Sequence, residues 1–224
     1  MKSVLISIQP KWCELIANGK KTVEIRKTKP KIDTPFKAYI YCTLPPSEEL
    51  FRHGGICEFA NELIRLQSGE IVYDYGMRLC CDPEGRPYTS DNFLCRKVIG
   101  EFFCDRITPL FNICTDDWEY LKGDKHEWKK RFVRQACLTE AELKSYAKGK
   151  NCFAWQISDL VIYDKPKPLS MFYKGCAGLD NTGLCYECEN AVGEECNCAL
   201  NGRLHLTRPP QSWCYVEEIK NAVT

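Results

Sequence analysis

Short segments in which apolar and polar side chains alternate recur along the whole chain, and they constrain its fold more than any other feature. Val4, Ile6 and Ile8 alternate in the first segment, and Val23 and Ile25 alternate in the second. A period of two residues is typical of strands. Further strands are predicted over residues 37–43, 97–107, 153–163 and 213–217. Short strands with few long helices favour an α+β fold, a small β-barrel with peripheral helices, over a sheet of βαβ units.

Helices are predicted between these strands. The first begins near Pro10 and ends at Asn18 and Gly19, and a second over residues 116–136 is divided near residue 123. The best-marked helix begins at Thr139, because Glu142 three residues later completes a capping box. Residues 44–92 show weak patterning, with one short helix near residues 60–66. We interpret 44–92 as an insertion into a barrel formed by residues 1–43 and 93–224.

Charge and hydropathy exclude several classes of function. The chain carries 31 basic and 30 acidic residues among its 224, so any contact with nucleic acid must be local. The N-terminal residues contain no apolar run of the kind found in secretory signals, and no segment approaches the ~18 apolar residues of a membrane span. These features predict a cytoplasmic protein that has no membrane partner, and they give no sign of an obligate protein partner.

Cysteine is unusually frequent, with 16 residues in the chain. In a reducing compartment, clustered thiols indicate metal ligands and scattered thiols indicate small core residues. A glycine-rich segment, residues 171–206, contains a Cys-x-x-Cys pair, which is typical of structural zinc sites. Four ligands are expected from Cys176, Cys185, Cys188, Cys196 and Cys198, with His205 as a spare candidate. An unliganded loop and a disulfide clamp are the alternatives.

The remaining cysteines are expected in different surroundings. Those within predicted strands, next to apolar residues, should pack as small hydrophobic side chains: Cys42, Cys104, Cys152 and Cys214. A weaker hypothesis is a second metal site, whose irregularly spaced ligands would be Cys57, Cys80, Cys81 and Cys95.

Residues 19–26 fit the pattern G-x-K-x-x-E-x-R and follow the first predicted helix, as Gly19, Lys21, Glu24 and Arg26 occupy its fixed positions. In this motif, and in segments 7–12, 97–102, 153–160 and 206–216, the chain resembles ASCH-domain proteins of bacteria and phages. The resemblance implies a PUA-like barrel with a cleft beside the motif that takes RNA or a modified nucleotide. Some members of the superfamily remove an acetyl group from cytidine, and others are similar to metal-dependent ribonucleases.

The residue types at the motif suit nucleotide recognition. Lys21 and Arg26 can pair with a phosphate, while Glu24 can accept from a base amino group. Aromatic and amide groups can stack on an unstacked base or bond to it. The predicted nucleotide-binding residues are Gln9, Trp12, Lys21, Glu24, Arg26, Arg208 and Trp213.

Three alternatives stay open. The motif charges could form a solvated ladder on a strand face. The cleft could instead be that of a hydrolase acting on a nucleoside amide or on RNA, with Lys21 and Glu24 catalytic. The acetylcytidine hydrolases carry a threonine nucleophile where this chain has Glu24, which could act only as a general base. A third alternative is a zinc-stabilised adaptor for another protein.

Overall fold

The computed structural model describes residues 3–44, 63–66, 68–73, 93–110, 124–174 and 205–218. These residues confirm the predicted α+β class, with few helices and a sheet curled into a half-barrel. Their elements are β1 (Ser3–Ile8), α1 (Pro10–Ala17), β2 (Val23–Arg26), β3 (Phe36–Cys42), β4 (Leu63–Arg65), β5 (Ile71–Tyr73), β6 (Lys97–Cys104), β7 (Ile107–Leu110), α2 (Asp124–Gln135), α3 (Glu140–Ala147), β8 (Cys152–Gln156), β9 (Ser158–Pro168), β10 (Phe172–Tyr173) and β11 (Trp213–Glu218).

Strand β1 lies inside a six-stranded sheet with the order β10-β11-β1-β3-β6-β9. It runs parallel to β3 and antiparallel to β11. The alternation predicted a half-buried strand, but both faces of β1 are buried. Val4 and Ile6 belong to the main core, whereas Leu5 packs in a separate cluster with Phe172 and Val216. The sheet is therefore covered on both sides.

A second sheet, with the order β2-β8-β7, carries the motif strand β2. Val23 and Ile25 pack with residues of α2 and α3, including Val133 and Leu143. Trp155 of β8 lies in the main core, where its ring meets Phe36 edge-on at 5.7 Å. Helices thus cover the face of β2 that carries Val23 and Ile25. The alternate side chains of this strand lie on its opposite face.

The predicted capping box of α3 is confirmed. The Glu142 backbone N–H donates to Thr139 Oγ1 over 3.1 Å, and the Thr139 backbone N–H donates to Glu142 Oε2 over 2.8 Å. The helix ends at Ala147, and the next residue, Lys148, adopts a left-handed conformation with φ of 50°. Because local contacts fix both ends of α3, this helix has a defined position beside β2.

The helix predicted near residues 60–66 is wrong, because Leu63–Arg65 forms strand β4. This strand pairs with β5 through a turn at Gly69, where φ is +87°. Leu63 and Ile71 enter the main core, and the Asn18 side-chain amide of the segment after α1 donates to the Ile71 carbonyl over 2.8 Å. Pairing with β5 satisfies the backbone of a segment that is too short for a stable helix.

Strands β6 and β9 approach each other closely at Gly100. A β-carbon at this position would overlap the Val161 carbonyl oxygen and crowd Ile162. The register of the β6–β9 pair shifts on either side of this point. Glycine is therefore required here by backbone contact.

Residues 173 and 205 lie side by side at the β10 edge of the large sheet. Tyr173 and His205 form an antiparallel bridge, and the Leu206 N–H donates to the Phe172 carbonyl over 2.8 Å. The described residues that flank segment 175–204 are thus paired with each other. No helix among the described residues is long and apolar enough to cross a membrane.

Candidate functional site

The three charged motif residues are buried together. Lys21 is 3% exposed, Glu24 is 7% exposed and Arg26 is 8% exposed. Lys21 Nζ lies 3.4 Å from Glu24 Oε2, and Arg26 Nε lies 3.1 Å from Glu24 Oε1. The carboxylate therefore sits between two cations. This burial corrects the alternative of a solvated charge ladder, since helices and neighbouring loops cover the strand.

Each of the two cations is also tied to a backbone carbonyl. Lys21 Nζ donates to the Ala136 carbonyl over 2.7 Å, and Arg26 Nη2 donates to the Ser7 carbonyl over 2.6 Å. Ala136 directly follows α2, so the Lys21 ammonium caps that helix at the end where carbonyls lack partners. Hydrogen bonds from a charged donor are strong, and these two fix the direction of both cations.

Local backbone structure explains how Lys21 reaches this position. Gly19, with φ of +69°, turns the chain out of α1, and the backbone N–H groups of Lys20 and Lys21 both donate to Leu15. The Thr22 N–H then donates to the Gln135 carbonyl over 2.9 Å. The motif strand is therefore attached to the C-terminal end of α2 before β2 begins.

The buried charges line a cleft of about 880 Å³. Its walls are formed by the end of β1, the start of α1, β2 and the loop after it, α3 and the loop before it, and the segment before β11. The lining residues are Ser7, Ile8, Gln9, Trp12, Lys21, Glu24, Ile25, Arg26, Lys27, Thr28, Thr43, Leu138, Glu142, Tyr146, Pro209, Pro210, Gln211 and Ser212. Five of the seven predicted nucleotide-binding residues are brought together here: Gln9, Trp12, Lys21, Glu24 and Arg26.

The two other predicted residues, Arg208 and Trp213, lie outside the lining. Arg208 is exposed and immediately precedes the lining prolines. The Trp213 ring packs between those of Trp155 and Tyr215, at centroid distances of 6.0 and 5.5 Å. Its Nε1–H donates to Thr28 Oγ1 over 2.9 Å, so Trp213 supports a cleft wall from behind.

Helix α3 contributes lining residues that the sequence interpretation did not include. Desolvation of the Tyr146 hydroxyl raises its pKa, although the residue as a whole is 38% exposed, and Lys27 Nζ lies 5.0 Å from the centroid of its ring. The Thr139 backbone N–H and hydroxyl lower the pKa of Glu142, which also lies 3.7 Å from Lys11 Nζ. The capping box predicts the residue at which α3 begins. It does not predict which face of α3 lies toward the cleft, because that depends on how the helix packs against β2.

The predicted zinc ligands Cys176, Cys185, Cys188, Cys196 and Cys198 lie outside the described residues, as do Cys57, Cys80 and Cys81 of the weaker second site. Within the described part of the chain, no three His, Cys, Asp or Glu side chains are grouped to hold a metal ion. Cys95 lies in the core, with its sulfur 3.7 Å from that of Cys42.

The prediction of core cysteines is confirmed for Cys42, Cys104 and Cys152, which are fully buried. Burial raises the pKa of Cys104 to about 12, as expected for a thiol that packs as an apolar side chain. Cys214 is only partly buried.

Comparisons with known proteins agree with the motif. Residues 6–37 match the family model of the ASCH domain. Among solved structures, the chain is similar to ASCH from Zymomonas mobilis, with 20% identity over 74% of this chain and 70% of that one and a TM-score of 0.38. A tyrosine-to-phenylalanine mutant of that protein gives 19% identity over 74% and 73%, and a serine-to-alanine mutant gives 20% over 74% and 70%, both with a TM-score of 0.38. No curated protein matches the chain. The matched residues 6–37 contain the end of β1, all of α1 and the buried motif, and this match supports an ASCH domain in the chain.

Proposed function

We infer that the chain binds RNA or a modified nucleotide in the cleft above Lys21, Glu24 and Arg26. The family is linked to RNA binding. The observation that carries the proposal is the burial of two cations and one carboxylate at the floor of an open cleft. A cluster of charges is costly to remove from water, and such clusters in clefts are typical of functional sites.

The charges at the floor are oriented before a ligand arrives. The carbonyls of Ala136 and Ser7 hold the Lys21 and Arg26 head groups, and Glu24 lies between them. Fixed donors and acceptors lose little freedom when a ligand binds, so they favour a ligand with a matching pattern of polar groups. The net charge of the three groups is positive, which suits a ligand that carries a phosphate.

The size and the aromatic content of the cleft favour a base-containing ligand. Its volume of about 880 Å³ lies within the ~300–1,000 Å³ typical of small-molecule sites. Trp12 and Tyr146 both line it, and each offers a ring on which a base could stack. Trp12 already lies 5.2 Å from Lys21 Nζ, so a ring in this wall is compatible with the cationic floor.

Binding can be tested with nucleoside monophosphates, N4-acetylcytidine and single-stranded RNA by isothermal titration calorimetry. Glu24→Gln should weaken binding by about tenfold, because the neutral amide is a weaker acceptor for a base amino group and no longer holds the Lys21 and Arg26 head groups in their fixed orientation. Glu101→Gln is a matched control: Glu101 is also paired with a lysine, Lys37 at 2.6 Å, but it lies outside the cleft lining. Circular dichroism would verify that both variants are folded. Absence of binding by the wild type, or equal effects of the two substitutions, would overturn the proposal.

The same samples separate binding from hydrolysis. If the cleft is that of a hydrolase, incubation with N4-acetylcytidine or RNA should give cytidine or cleaved strands, and Glu24→Gln should abolish the product. Retained binding without product would assign the chain to the binding class. In that case Lys21 and Glu24 position a ligand and do not catalyse a reaction.

A further inference from the structure

Four basic side chains gather along one side of the cleft, and three of them, Lys29, Lys31 and Arg208, are exposed and lie outside its lining. The loop after β2 carries a lysine at every second position, Lys27, Lys29 and Lys31, and its first two residues line the cleft. Lys29 and Lys31 themselves are exposed. Arg208 is exposed in the neighbouring loop, whose Pro209 and Pro210 line the same cleft. We call these four basic residues the basic rim.

Both loops of the basic rim are held in place by the end of the sheet. Trp213 Nε1 donates to Thr28 Oγ1 over 2.9 Å, and the Lys31 backbone N–H donates to the Tyr215 hydroxyl over 2.6 Å. The Ser7 hydroxyl donates to the Pro210 carbonyl over 2.6 Å. Strands β1 and β11 thus anchor the two loops, so the cations project from a supported backbone.

The basic rim is a local excess of positive charge in a chain that is almost neutral. Residues 27–36 and 205–213 contain four basic residues and one acidic residue, Asp33, whereas the whole chain has 31 basic and 30 acidic residues. A single nucleotide could place its phosphate near Lys21 and Arg26 on the floor. The exposed rim cations would then have no phosphate to contact unless the ligand continued beyond the cleft.

We propose that the ligand is a nucleic-acid strand, with one nucleotide in the cleft and its adjoining phosphates on the basic rim. This inference rests on the proposed function and specifies its ligand class. Phosphate contacts position a strand without reading its sequence, so the basic rim supplies affinity while the cleft selects the base. Each phosphate neutralised on a single strand contributes about 0.7 to the slope of log affinity against log salt concentration.

The test compares eight-residue oligonucleotides with the matching nucleoside monophosphates over a series of KCl concentrations. The variants are Lys29→Gln, Lys31→Gln and the double substitution, all outside the cleft lining. Lys165→Gln is the matched control, because Lys165 is exposed on edge strand β9, which β3 and β6 separate from β1. RNA and DNA of the same sequence are both measured, since a preference for RNA would indicate contacts to the 2′-hydroxyl.

The double variant should lower oligonucleotide affinity at low salt and make the salt slope shallower by about 1.4, two phosphates at about 0.7 each. Monophosphate binding should be unchanged, and Lys165→Gln should behave as the wild type. If the monophosphate binds but the oligonucleotide binds no more tightly, or if the double variant leaves the slope unchanged, the basic rim is overturned and the proposed function stands. If neither ligand binds, both fall.

Discussion

At the scale of single residues, Lys21 connects the cleft with a helix. Its ammonium contacts Glu24 on the floor and the Ala136 carbonyl at the end of α2. Loss of this side chain would leave a buried carboxylate with one cation fewer and a buried carbonyl without its donor. Both changes carry a desolvation cost. Stability and ligand binding are therefore coupled at this residue, and the same holds for Glu24, which lies between Lys21 and Arg26.

Lys21→Met should lower the free energy of unfolding by about 3–5 kcal/mol, the cost typical of breaking a buried ion pair. Lys37→Met is the comparison, because Lys37 also pairs with a glutamate but its side chain is 29% exposed. We expect the comparison variant to lose about 1 kcal/mol, as for solvated pairs. Urea denaturation followed by tryptophan fluorescence measures both values. Equal losses would show that burial of Lys21 adds nothing to its contribution.

The sequence pattern indicates which residues form the charged motif, but it does not indicate which segments surround them. The motif spacing placed Lys21, Glu24 and Arg26 near one strand, and the structure has them there. Their burial depends on Ala136 and Ser7, which are 115 and 19 residues away from their respective partners. A strand pattern shows which side chains share a face, but not which distant segment covers that face. Tyr146 was missed for the same reason.

At the scale of elements, the predictions succeeded where the determinants are local. The capping box of α3 and the alternation of β2 and β8 involve neighbours in sequence, and these elements formed as predicted. Strand β4 was predicted as a helix because Leu63–Arg65 is short and its pairing partner β5 decides its conformation. Short apolar segments are ambiguous between helix and strand until their partners are known.

The close contact of β6 and β9 gives a prediction at this scale. Gly100→Ala should destabilise the protein by about 1–3 kcal/mol, as is usual for overpacking, because the new methyl group meets the Val161 backbone, which cannot rotate away. Thermal unfolding followed by circular dichroism measures the change. A melting temperature equal to that of the wild type would mean that the two strands can separate at this point without cost.

At the scale of the whole molecule, the six strands of the large sheet are all formed by residues on either side of 175–204. Their flanking residues Tyr173 and His205 are already bridged, and Leu206 lies in the cluster that covers the second face of the sheet. The cleft lies among β2, α1 and α3, and of the described residues that flank the segment, 169–174 and 205–206, none lines it. We therefore expect the cysteine-rich segment to be separable from both the fold and the cleft.

Replacement of residues 175–204 by a short Gly-Ser linker should leave the far-ultraviolet spectrum and the nucleotide affinity unchanged. Because the five cysteines predicted to bind zinc all lie in the removed segment, elemental analysis should give one equivalent of zinc for the full chain and none for the shortened one. In the full chain, Cys185→Ser should lose the metal, whereas Cys214→Ser should retain it. An unfolded shortened chain, or a full chain without zinc, would contradict this division.

The position of β1 between β3 and β11 affects the order in which the sheet can form during synthesis. Residues 3–6 leave the ribosome before their antiparallel partners, residues 213–216, which are synthesised about 200 residues later. During that interval one edge of β1 has no strand to pair with, and the anchors of the basic rim, Trp213 and Tyr215, have not yet been added. Pairing between such distant segments slows folding. The cleft can therefore acquire its final shape only after β11 has emerged from the exit tunnel.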